Sequence, residues 1–435
     1  MARGARRGRL CPRPRLQLAR LRRGHLPRAS RASRSRAMSA RVAEAEEASR
    51  KLILVVAAYF PDSYGGAERQ AKILAEALGR QGVDVTIVAP TIWTDTVLSE
   101  PAAFGRIERI RVKHYPNYGG RRIASLFRWT SEFYRRYGGE AFRGVPVYAF
   151  HARLHALAPA LVASRLDSPL LIKLGGGGEA SDFIALDEKR YFYGAWVKRL
   201  LLRRVDIFVA NGIQIEKDLA ALGVSTERIA AFPNGVQLPP LDEVKEAIGT
   251  RNGDRFVFTG RMISDKNVAM LYEGAEGLAL AGRSFTFAFV GDGAERETLS
   301  ARAEAAGVAG QFEFPGFASD VYPHLMPSDF FMSASLREGQ SNSLLEAMSA
   351  GCIPILFAAS GVEDVVRDGE TGFVVRDISA AGLREAMVRA LDLSVEKRMA
   401  MARAARRFAE DRVGIDATAT RTIAALDKAR ERRGR

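Results

Sequence analysis

The chain has 435 residues, of which 47% are apolar and 26% charged, and a formal net charge of +15. This length is sufficient for two or three domains with their own cores, and the composition is that of a globular protein. Two cysteines, Cys11 and Cys352, exclude a disulfide framework and a cysteine-based metal site. No apolar run approaches the roughly 18 residues needed to span a bilayer.

The positive charge lies in the N-terminal tail. Residues 1–41 contain fourteen arginines and no lysine, aspartate or glutamate, so the rest of the chain is nearly neutral. We expect residues 1–49 to be disordered, because they show neither a helical nor a strand period. Three interpretations stay open: an arm for nucleic acid or anionic membranes, a transit-like segment, and an upstream extension of the reading frame. The last is favoured, since Met38 as the start would leave a short acidic lead into the first strand.

From residue 52 onward, short apolar runs alternate with amphipathic segments. The pattern predicts a helix at residues 67–79 and strands at 52–58, 83–89, 145–150, 169–174, 206–210 and 228–232. Near-continuous apolar strands between helices indicate a parallel sheet that is covered on both faces. The turn-rich segment 232–240 predicts a domain boundary.

The alternation restarts after this boundary. We expect helices at residues 268–281, 295–306, 343–350 and within 378–430, and strands at 255–259, 285–290, 312–314, 330–332 and 353–357. The sequence therefore predicts an α/β protein with two doubly wound, Rossmann-like domains facing a central cleft.

Two carboxylates, Glu338 and Glu346, flank a polar loop and the first turn of a predicted helix. Free backbone N–H groups at a helix N-terminus bind anions. Carboxylates on either side could accept hydrogen bonds from hydroxyls beside a bound phosphate, which is the arrangement of a nucleotide sugar. A capping box, in which Glu346 only satisfies the backbone N–H of Ser343, remains an alternative.

Further candidate residues follow other strands. Gly65 and Gly66 would allow a phosphate or sugar to approach the backbone closely, or would form a plain turn. Arg261 and Lys266 form a cationic pair suited to a diphosphate, although solvated cations are common at helix starts. The four glycines at 175–178 indicate a closely approached backbone.

The histidines after strand 145–150, His151 and His155, lie four residues apart. A metal site would lack an obvious third ligand, so a hydrogen-bonding histidine in the cleft is favoured over a metal ligand, with a solvated helix histidine as the alternative. Residues 121–137 mix cations with aromatic rings. They would either contact anionic lipid or form a helix packed on its own domain.

In combination, these motifs resemble the family-4 retaining glycosyltransferases, which have the GT-B fold. The resemblance covers about residues 51–415. It is carried by Glu338-Gly…Leu345-Glu346-Ala-Met, Gly351-Cys-Ile-Pro354, Pro233-Asn-Gly-Val236, Gly361-Val-Glu-Asp and Asp368-Gly-Glu-Thr-Gly372. It implies an acceptor domain at residues 50–235, a nucleotide-sugar donor domain at 236–410, and a helix at 411–435 that returns to the first domain.

The resemblance also implies an activity: hexosyl transfer from a UDP- or GDP-sugar to a glycan, lipid-linked or small-molecule acceptor. Arg261 and Lys266 would hold the diphosphate without an essential metal or cofactor. Glu346 would hold the ribose. The donor sugar would meet the remaining implied residues, which are Glu338, Gly339, Gln340, Ser341, Asn342, Gly65 and Gly66.

The sequence departs from the family at the loop after strand 169–174, where many members have a histidine and this chain has none. The first-domain group that contacts the donor sugar could therefore be Glu179, Asp182 or His151. A nucleotide-sugar epimerase or hydrolase, and a nucleic-acid-binding protein acting through the tail, remain alternatives. For the transferase we expect no nucleic-acid partner, a role in polysaccharide biosynthesis and a cytoplasmic location. Peripheral contact of residues 121–137 with the inner face of the membrane stays open.

Overall fold

Two mainly parallel sheets, one of eight strands and one of six, organise the chain. They are seen in a computed structural model that describes residues 50–118, 123–178, 181–189, 193–336, 340–358, 362 and 365–434. The described residues all belong to one compact unit. The tail at residues 1–49, Glu179, Glu338 and Gly339 lie outside the described residues.

The first sheet has the strand order β3-β4-β2-β1-β5-β6-β7-β8, and its pairs are parallel except for the antiparallel β3–β4 pair. Its strands are β1 (Lys51–Val55), β2 (Asp84–Thr91), β3 (Ser99–Ala102), β4 (Gly105–Arg111), β5 (Val147–Phe150), β6 (Leu170–Lys173), β7 (Ile207–Ala210) and β8 (Ile229–Ala231). The helices that accompany it are α1 (Gly66–Arg80), α2 (Ile123–Tyr137), α3 (Leu157–Arg165), α4 (Asp182–Asp187), α5 (Tyr193–Arg204) and α6 (Ile213–Ala221).

The second sheet is parallel throughout, in the order β11-β10-β9-β12-β13-β14. Its strands are β9 (Arg255–Thr259), β10 (Thr286–Val290), β11 (Phe312–Gly316), β12 (Phe330–Ser333), β13 (Ile353–Phe357) and β14 (Phe373–Val375). The helices that follow the first domain are α7 (Leu241–Thr250), α8 (Val268–Leu280), α9 (Glu295–Ala305), α10 (Tyr322–Leu325), α11 (Asn342–Ser349), α12 (Ala380–Leu391), α13 (Val395–Arg412) and α14 (Ile415–Arg433).

Both faces of each sheet are buried, as the apolar strands predict. In β1, Leu54 belongs to one core and Val55 to the core on the opposite face. In β9, Phe256 and Val257 likewise belong to two different cores, one on each face of the second sheet. Alternate residues of a strand point to opposite faces, so a strand covered on both sides must be apolar throughout. The prediction of two doubly wound parallel sheets is therefore confirmed.

Several element bounds differ from the prediction. Strand β1 ends at Val55 rather than at residue 58, because the chain then leaves the sheet and packs Tyr59 against Phe60. The sequence did not predict β3, β4 or β14, which lie at sheet edges or next to them.

The chain crosses between the two sheets twice, and the crossings pair with each other. Val236 forms a β-bridge with Gly414, in which Val236 donates to Val413 O at 2.8 Å and accepts from Ile415 N at 2.9 Å. Helix α14 then returns to the first sheet. Its Leu426 is buried in the same core as Leu54. The two paired connecting segments therefore hold the carboxyl edges of the two sheets next to each other.

Candidate active site

Asn342, the first residue of helix α11, joins the two sheets at their carboxyl edges. Its Nδ2 donates to Gly66 O at 3.1 Å, and its Oδ1 accepts from Asn234 Nδ2 at 2.8 Å. The neighbouring Gln340 accepts from Asn234 N through its side-chain oxygen, Oε1, at 2.5 Å. The structure thus brings together predicted residues from two distant parts of the sequence: Gly66 from one, and Gln340 and Asn342 from the other.

A cavity of 170 Å³ lies against this contact. It opens at the carboxyl ends of β5, β6 and β7, which is where ligands bind in open α/β sheets. The residues that line it come from both sheets: Gly66, Ala67, Gln70, Phe150, His151, Lys173, Leu174, Gly175, Asn211, Asn234, Gln340 and Asn342. Two of the predicted residues, Gly65 and Ser341, cap helices beside the cavity instead of lining it.

The capping-box interpretation of Glu346 is wrong. Ser341 is the N-cap of α11, and its hydroxyl accepts from Leu344 N at 3.5 Å. Ser343 is therefore already inside the helix, and Glu346 lies in the second turn rather than the first. A capping role no longer accounts for this carboxylate.

Glu346 instead pairs with a cation from the other domain. Its Oε1 lies 3.3 Å from Arg69 Nη2 on helix α1. Burial raises the pKa of Glu346 to about 7, with Arg69 opposing the rise and Asp320 adding to it. A buried carboxyl group with a raised pKa that lies between two domains is a candidate functional group.

The cationic pair predicted from the sequence lies at the same edge of the second sheet. Arg261 follows β9 and is exposed, while Lys266 ends a short turn, Ser264–Lys266. Burial, together with the nearby charge of Arg261, lowers the pKa of Lys266 to about 8. Asn267 Nδ2 donates to Ala334 O at 2.9 Å, which ties this loop to the loop after β12. Neither cation lines the 170 Å³ cavity.

His151 lines the cavity and is held from behind by Asp182. The backbone of His151 has a φ of 71°, and its Nδ1 lies 3.3 Å from Asp182 Oδ1. Asp182 also accepts from Gly175 N at 2.9 Å and from Arg153 Nε at 2.8 Å. Burial alone would raise the pKa of Asp182, but His151, Arg153 and the Gly175 N–H outweigh it and hold this pKa well below its ordinary value. Asp182 is fully buried, so it positions His151 and does not face the cavity.

The imidazole of His151 occupies the space that a side chain at residue 175 would fill. A Cβ on Gly175 would collide with Nδ1 and Cε1 of His151. The loop after β6 has no histidine, but the imidazole of His151, which follows the neighbouring strand β5, lies against Gly175 of this loop.

His155 has a structural role. It is completely buried, with Nδ1 3.0 Å from Asn117 Oδ1 and Nε2 2.8 Å from Phe150 O. Burial lowers its pKa to about 3. The alternative of a solvated helix histidine is therefore wrong for His155. Within the described ranges, no three His, Cys, Asp or Glu side chains are grouped so that they could hold a metal ion.

Sequence reasoning missed Lys173, the last residue of β6. Its Nζ lies 4.9 Å from the centre of the Phe150 ring, and burial lowers its pKa to about 7 although the side chain keeps some exposure. Asn211, directly after β7, was missed too; its Nδ2 donates to Asn234 Oδ1 at 3.1 Å. A single polar residue at the end of an apolar strand is the signal that could have identified both.

Residues 121–137 contain helix α2, which packs on its own domain through Leu126, Trp129 and Phe133. Arg136 pairs with Glu108 at 3.1 Å. Phe127 stays 66% exposed. Among the helices that the structure describes, none combines the length and apolar character of a membrane span.

Comparison with known proteins gives two family matches. Residues 65–235 match the glycosyl transferase 4-like domain, and residues 242–408 match glycosyl transferases group 1. Among curated relatives, the putative glycosyltransferase EpsD of Bacillus subtilis (strain 168) is 28% identical over 41% of this chain. The 2-deoxystreptamine glucosyltransferase of Streptomyces kanamyceticus is 28% identical over 48%. The matched segments span 47% and 54% of those two proteins.

Solved structures share the fold over most of the chain. Anabaena HepE in complex with UDP has a TM-score of 0.63 at 16% identity, covering 86% of this chain and 98% of its own. Sucrose-phosphate synthase from Thermosynechococcus elongatus has a TM-score of 0.68 at 16% identity, covering 86% and 97%. These likenesses confirm the predicted GT-B fold.

Proposed function

Because the chain belongs to the group 1 glycosyltransferases, we propose that it transfers a hexosyl group from a UDP- or GDP-sugar to a glycan, lipid-linked or small-molecule acceptor. The transfer would retain the anomeric configuration. The observation that carries this proposal is the buried Glu346, which meets Arg69 where the two sheets face each other. The HepE structures with UDP, and with UDP and glucose, support a nucleotide sugar as the donor class.

The donor would bind along the carboxyl edge of the second sheet. Arg261 and Lys266 would hold the diphosphate, and Glu346 would accept hydrogen bonds from the ribose hydroxyls. The start of α11 at Gln340, Ser341 and Asn342 offers backbone N–H groups of the kind that bind anions. Two cations close to the diphosphate would stabilise the charge that develops on the leaving group, so we propose transfer without an essential metal.

The donor sugar would extend toward the 170 Å³ cavity, where His151 and Gly66 border the space between the domains. Asp182 orients the imidazole of His151, so His151 is the described first-domain group we assign to the donor sugar, with Glu338 and Glu179 as further proposed contacts. In a retaining transfer on one sugar face, the nucleoside diphosphate departs and the acceptor hydroxyl attacks on the same side of the sugar ring. Positioning and leaving-group stabilisation would then supply most of the rate.

Thermal stabilisation of the full-length protein by UDP, GDP, ADP and their sugar conjugates tests this proposal, with Mg²⁺ and with a chelator. We expect one nucleotide to stabilise the protein by about 2.7 kcal/mol at a hundredfold excess over its Kd, independent of metal. Glu346→Ala and Arg261→Ala should lose the shift while remaining folded. Arg283→Ala, which breaks an exposed ion pair with Asp392 in the same domain, is the matched control and should keep it.

Two results would contradict the proposal. If no nucleotide raises the thermal stability, the proposed nucleotide-sugar site is rejected. If both variants turn over substrate at the wild-type rate, the roles assigned to Glu346 and Arg261 are rejected. If the donor is consumed without an acceptor, the epimerase or hydrolase alternative is favoured instead. Assaying labelled donor with and without a panel of glycan and lipid-linked acceptors separates these cases.

We further propose a cytoplasmic enzyme of polysaccharide or glycolipid synthesis that contacts anionic membrane through the outer face of α2. Phe127, Arg128, Tyr134 and Arg135 are exposed there. Flotation with vesicles containing anionic lipid tests this contact. Phe127→Ser should reduce recovery with the vesicles, and equal recovery of both proteins would contradict it.

A further inference from the structure

A second cavity lies in the first domain, separate from the cavity that borders His151. It has a volume of 440 Å³, within the range of about 300–1,000 Å³ typical of small-molecule sites. Trp93, Asp95, Glu100 and Arg109 contribute to its lining. Pro61 also lines it and lies on the loop between β1 and α1, the loop that leads into Gly66 at the cleft. One loop therefore borders both cavities.

The wall of this cavity is held rigidly by Arg109. This side chain is almost fully buried, with Nη1 donating to Val97 O at 2.8 Å. Its Nη2 donates to Phe60 O at 2.7 Å and to Glu100 Oε1 at 2.8 Å. Arg109 thus fastens the segment between β2 and β3 to the loop after β1. A site whose wall is fixed in this way needs little ordering when a ligand binds.

Trp93 gives this cavity an exposed aromatic face. Its side chain is 58% exposed, although burying an indole is strongly favourable. An aromatic face carries negative partial charge and attracts the C–H groups on the flat side of a sugar ring. Asp95 and Glu100 supply carboxylate oxygens, which only accept hydrogen bonds and suit the hydroxyls at the edge of such a ring.

The charges of the lining disfavour an anionic ligand. Arg109 offsets the charge of Glu100, so Asp95 leaves the lining with a net negative charge that would repel a phosphate or a uronate. Arg109 is the cation in the lining, and both of its terminal nitrogens already have partners. An apolar face combined with hydrogen-bond acceptors fits a neutral, hydroxyl-rich ring.

We propose that this cavity binds a neutral pyranose ring of the acceptor on the indole of Trp93. The assignment to the acceptor rests on the proposed transferase function, whereas the binding of a neutral sugar can be measured without it. Recognition of the acceptor would then depend on a sugar ring next to the reacting hydroxyl and not on a charged lipid phosphate.

Fluorine NMR of the full-length protein labelled with fluorotryptophan tests the proposal. The chain has three tryptophans, which differ in exposure: Trp93 at 58%, Trp196 at 54%, and Trp129 fully buried. Trp93→Phe and Trp196→Phe assign the signals. The probes are the methyl glycosides of glucose, galactose, mannose and N-acetylglucosamine, with sodium glucuronate as the anionic counterpart.

At least one neutral glycoside should move the Trp93 signal in a saturable way, while the Trp196 signal stays in place and glucuronate has no effect. Asp95→Asn should weaken that binding about tenfold, because it removes a charged acceptor from the site. In transfer assays, Trp93→Leu should raise the acceptor KM and leave the nucleotide-induced thermal shift unchanged. Trp196→Phe should alter neither quantity.

A Trp93 signal that responds to none of the four glycosides overturns the inference, as does one that moves together with Trp196 or equally with glucuronate. Failure of the transferase proposal looks different: the nucleotide shift is absent while the Trp93 signal still titrates. If a nucleotide stabilises the protein thermally but no glycoside moves the Trp93 signal, only the proposed sugar subsite is rejected.

Discussion

Arg69 of helix α1 and Glu346 of helix α11 form an ion pair across the two domains, with Nη2 and Oε1 3.3 Å apart. The side chain of Arg69 is 35% exposed and that of Glu346 only 8%. The carboxylate that we assign to the ribose therefore forms an ion pair with the opposite domain. Its protonation should affect both donor binding and the contact between the domains.

Nucleotide affinity should depend on pH through Glu346. Burial raises the pKa of this carboxyl to about 7, so it is protonated at lower pH and accepts hydrogen bonds from ribose hydroxyls best when ionised. The affinity of the wild type should rise between about pH 6 and about pH 7, and Glu346→Gln should lack this rise. Burial lowers the pKa of Lys266 to about 8, so loss of its charge should lower the affinity of both proteins toward the upper end of the range. Calorimetric titration of the stabilising nucleotide between about pH 6 and about pH 8 measures both profiles. A wild-type profile that coincides with that of the variant would contradict the assignment.

The same shift predicts how stability responds to pH. A carboxyl whose pKa is raised on folding binds protons more tightly in the native state, so stability falls as pH rises from the ordinary value toward about 7. Above that value, Glu346→Gln should be the more stable protein, and the difference should vanish at acidic pH.

Arg69→Met should move the pH dependence of nucleotide affinity upward. Arg69 lowers the pKa of Glu346, so its removal leaves burial unopposed and raises that pKa further. The midpoint of the affinity profile should shift to higher pH. Arg80→Met is the matched control, because Arg80 lies on the same helix but pairs with Asp416 at an exposed position. Equal midpoints in the two variants would count against coupling of Arg69 to Glu346.

Lys173→Met should make the protein more stable and less active. Burial lowers the pKa of Lys173 to about 7, well below the value of about 10.4 in an unfolded chain. The native state then binds fewer protons between these two values, so stability rises with pH across this interval. The variant should exceed the wild type in Tm at neutral pH, and the gap should close near about pH 10.

Transfer by Lys173→Met should fall, since the substitution removes a cation from the wall of the 170 Å³ cavity. Lys198→Met is the control: it breaks the ion pair with Asp187, which lies outside that lining. A Lys173→Met protein with full activity would mean that the cation does not act on the substrate.

Gly175→Ala should displace His151. The new Cβ would collide with the imidazole, and overpacking of this kind destabilises by about 1–3 kcal/mol. Adding His151→Ala should restore much of the stability but not the transfer activity, and a double-mutant cycle measures this coupling. Gly249→Ala, in helix α7 with open space around it, should be neutral or slightly stabilising. Additive effects of the two cavity substitutions would contradict the contact.

Buried strands were the best predicted elements. Strands β9 and β13 have the predicted bounds, since residues apolar on both faces leave a clear signal. Strand β4, Gly105–Arg111, is mostly charged with two isoleucines, since it lies next to the sheet edge and is partly exposed. Such a strand resembles a loop or a surface helix in composition, and the sequence did not identify it.

Residues of the candidate site could be named from the sequence where a single loop carries a local motif. Gly66, Gln340 and Asn342 were named from local motifs and meet in space. The pairing of Arg69 with Glu346 was not predictable, because only the domain arrangement brings these helices together. Lys173 was missed although a polar residue that ends an apolar strand is a signal, because the sequence does not show which residues share a cavity with it.

Helix α14 has a bearing on the order of folding during synthesis. It buries Leu426 in the core that covers one face of the first sheet, and its Arg433 pairs with Asp206 at 2.7 Å. The ribosome makes this helix only after the whole second sheet. Helix α1 covers part of the same face with Leu74 and Leu78, so the first domain lacks only the part of this cover that α14 provides until α14 emerges. Domains of multidomain chains usually fold from the N-terminus onward, and we expect the first domain of this protein to reach its complete packing only after the second has been synthesised.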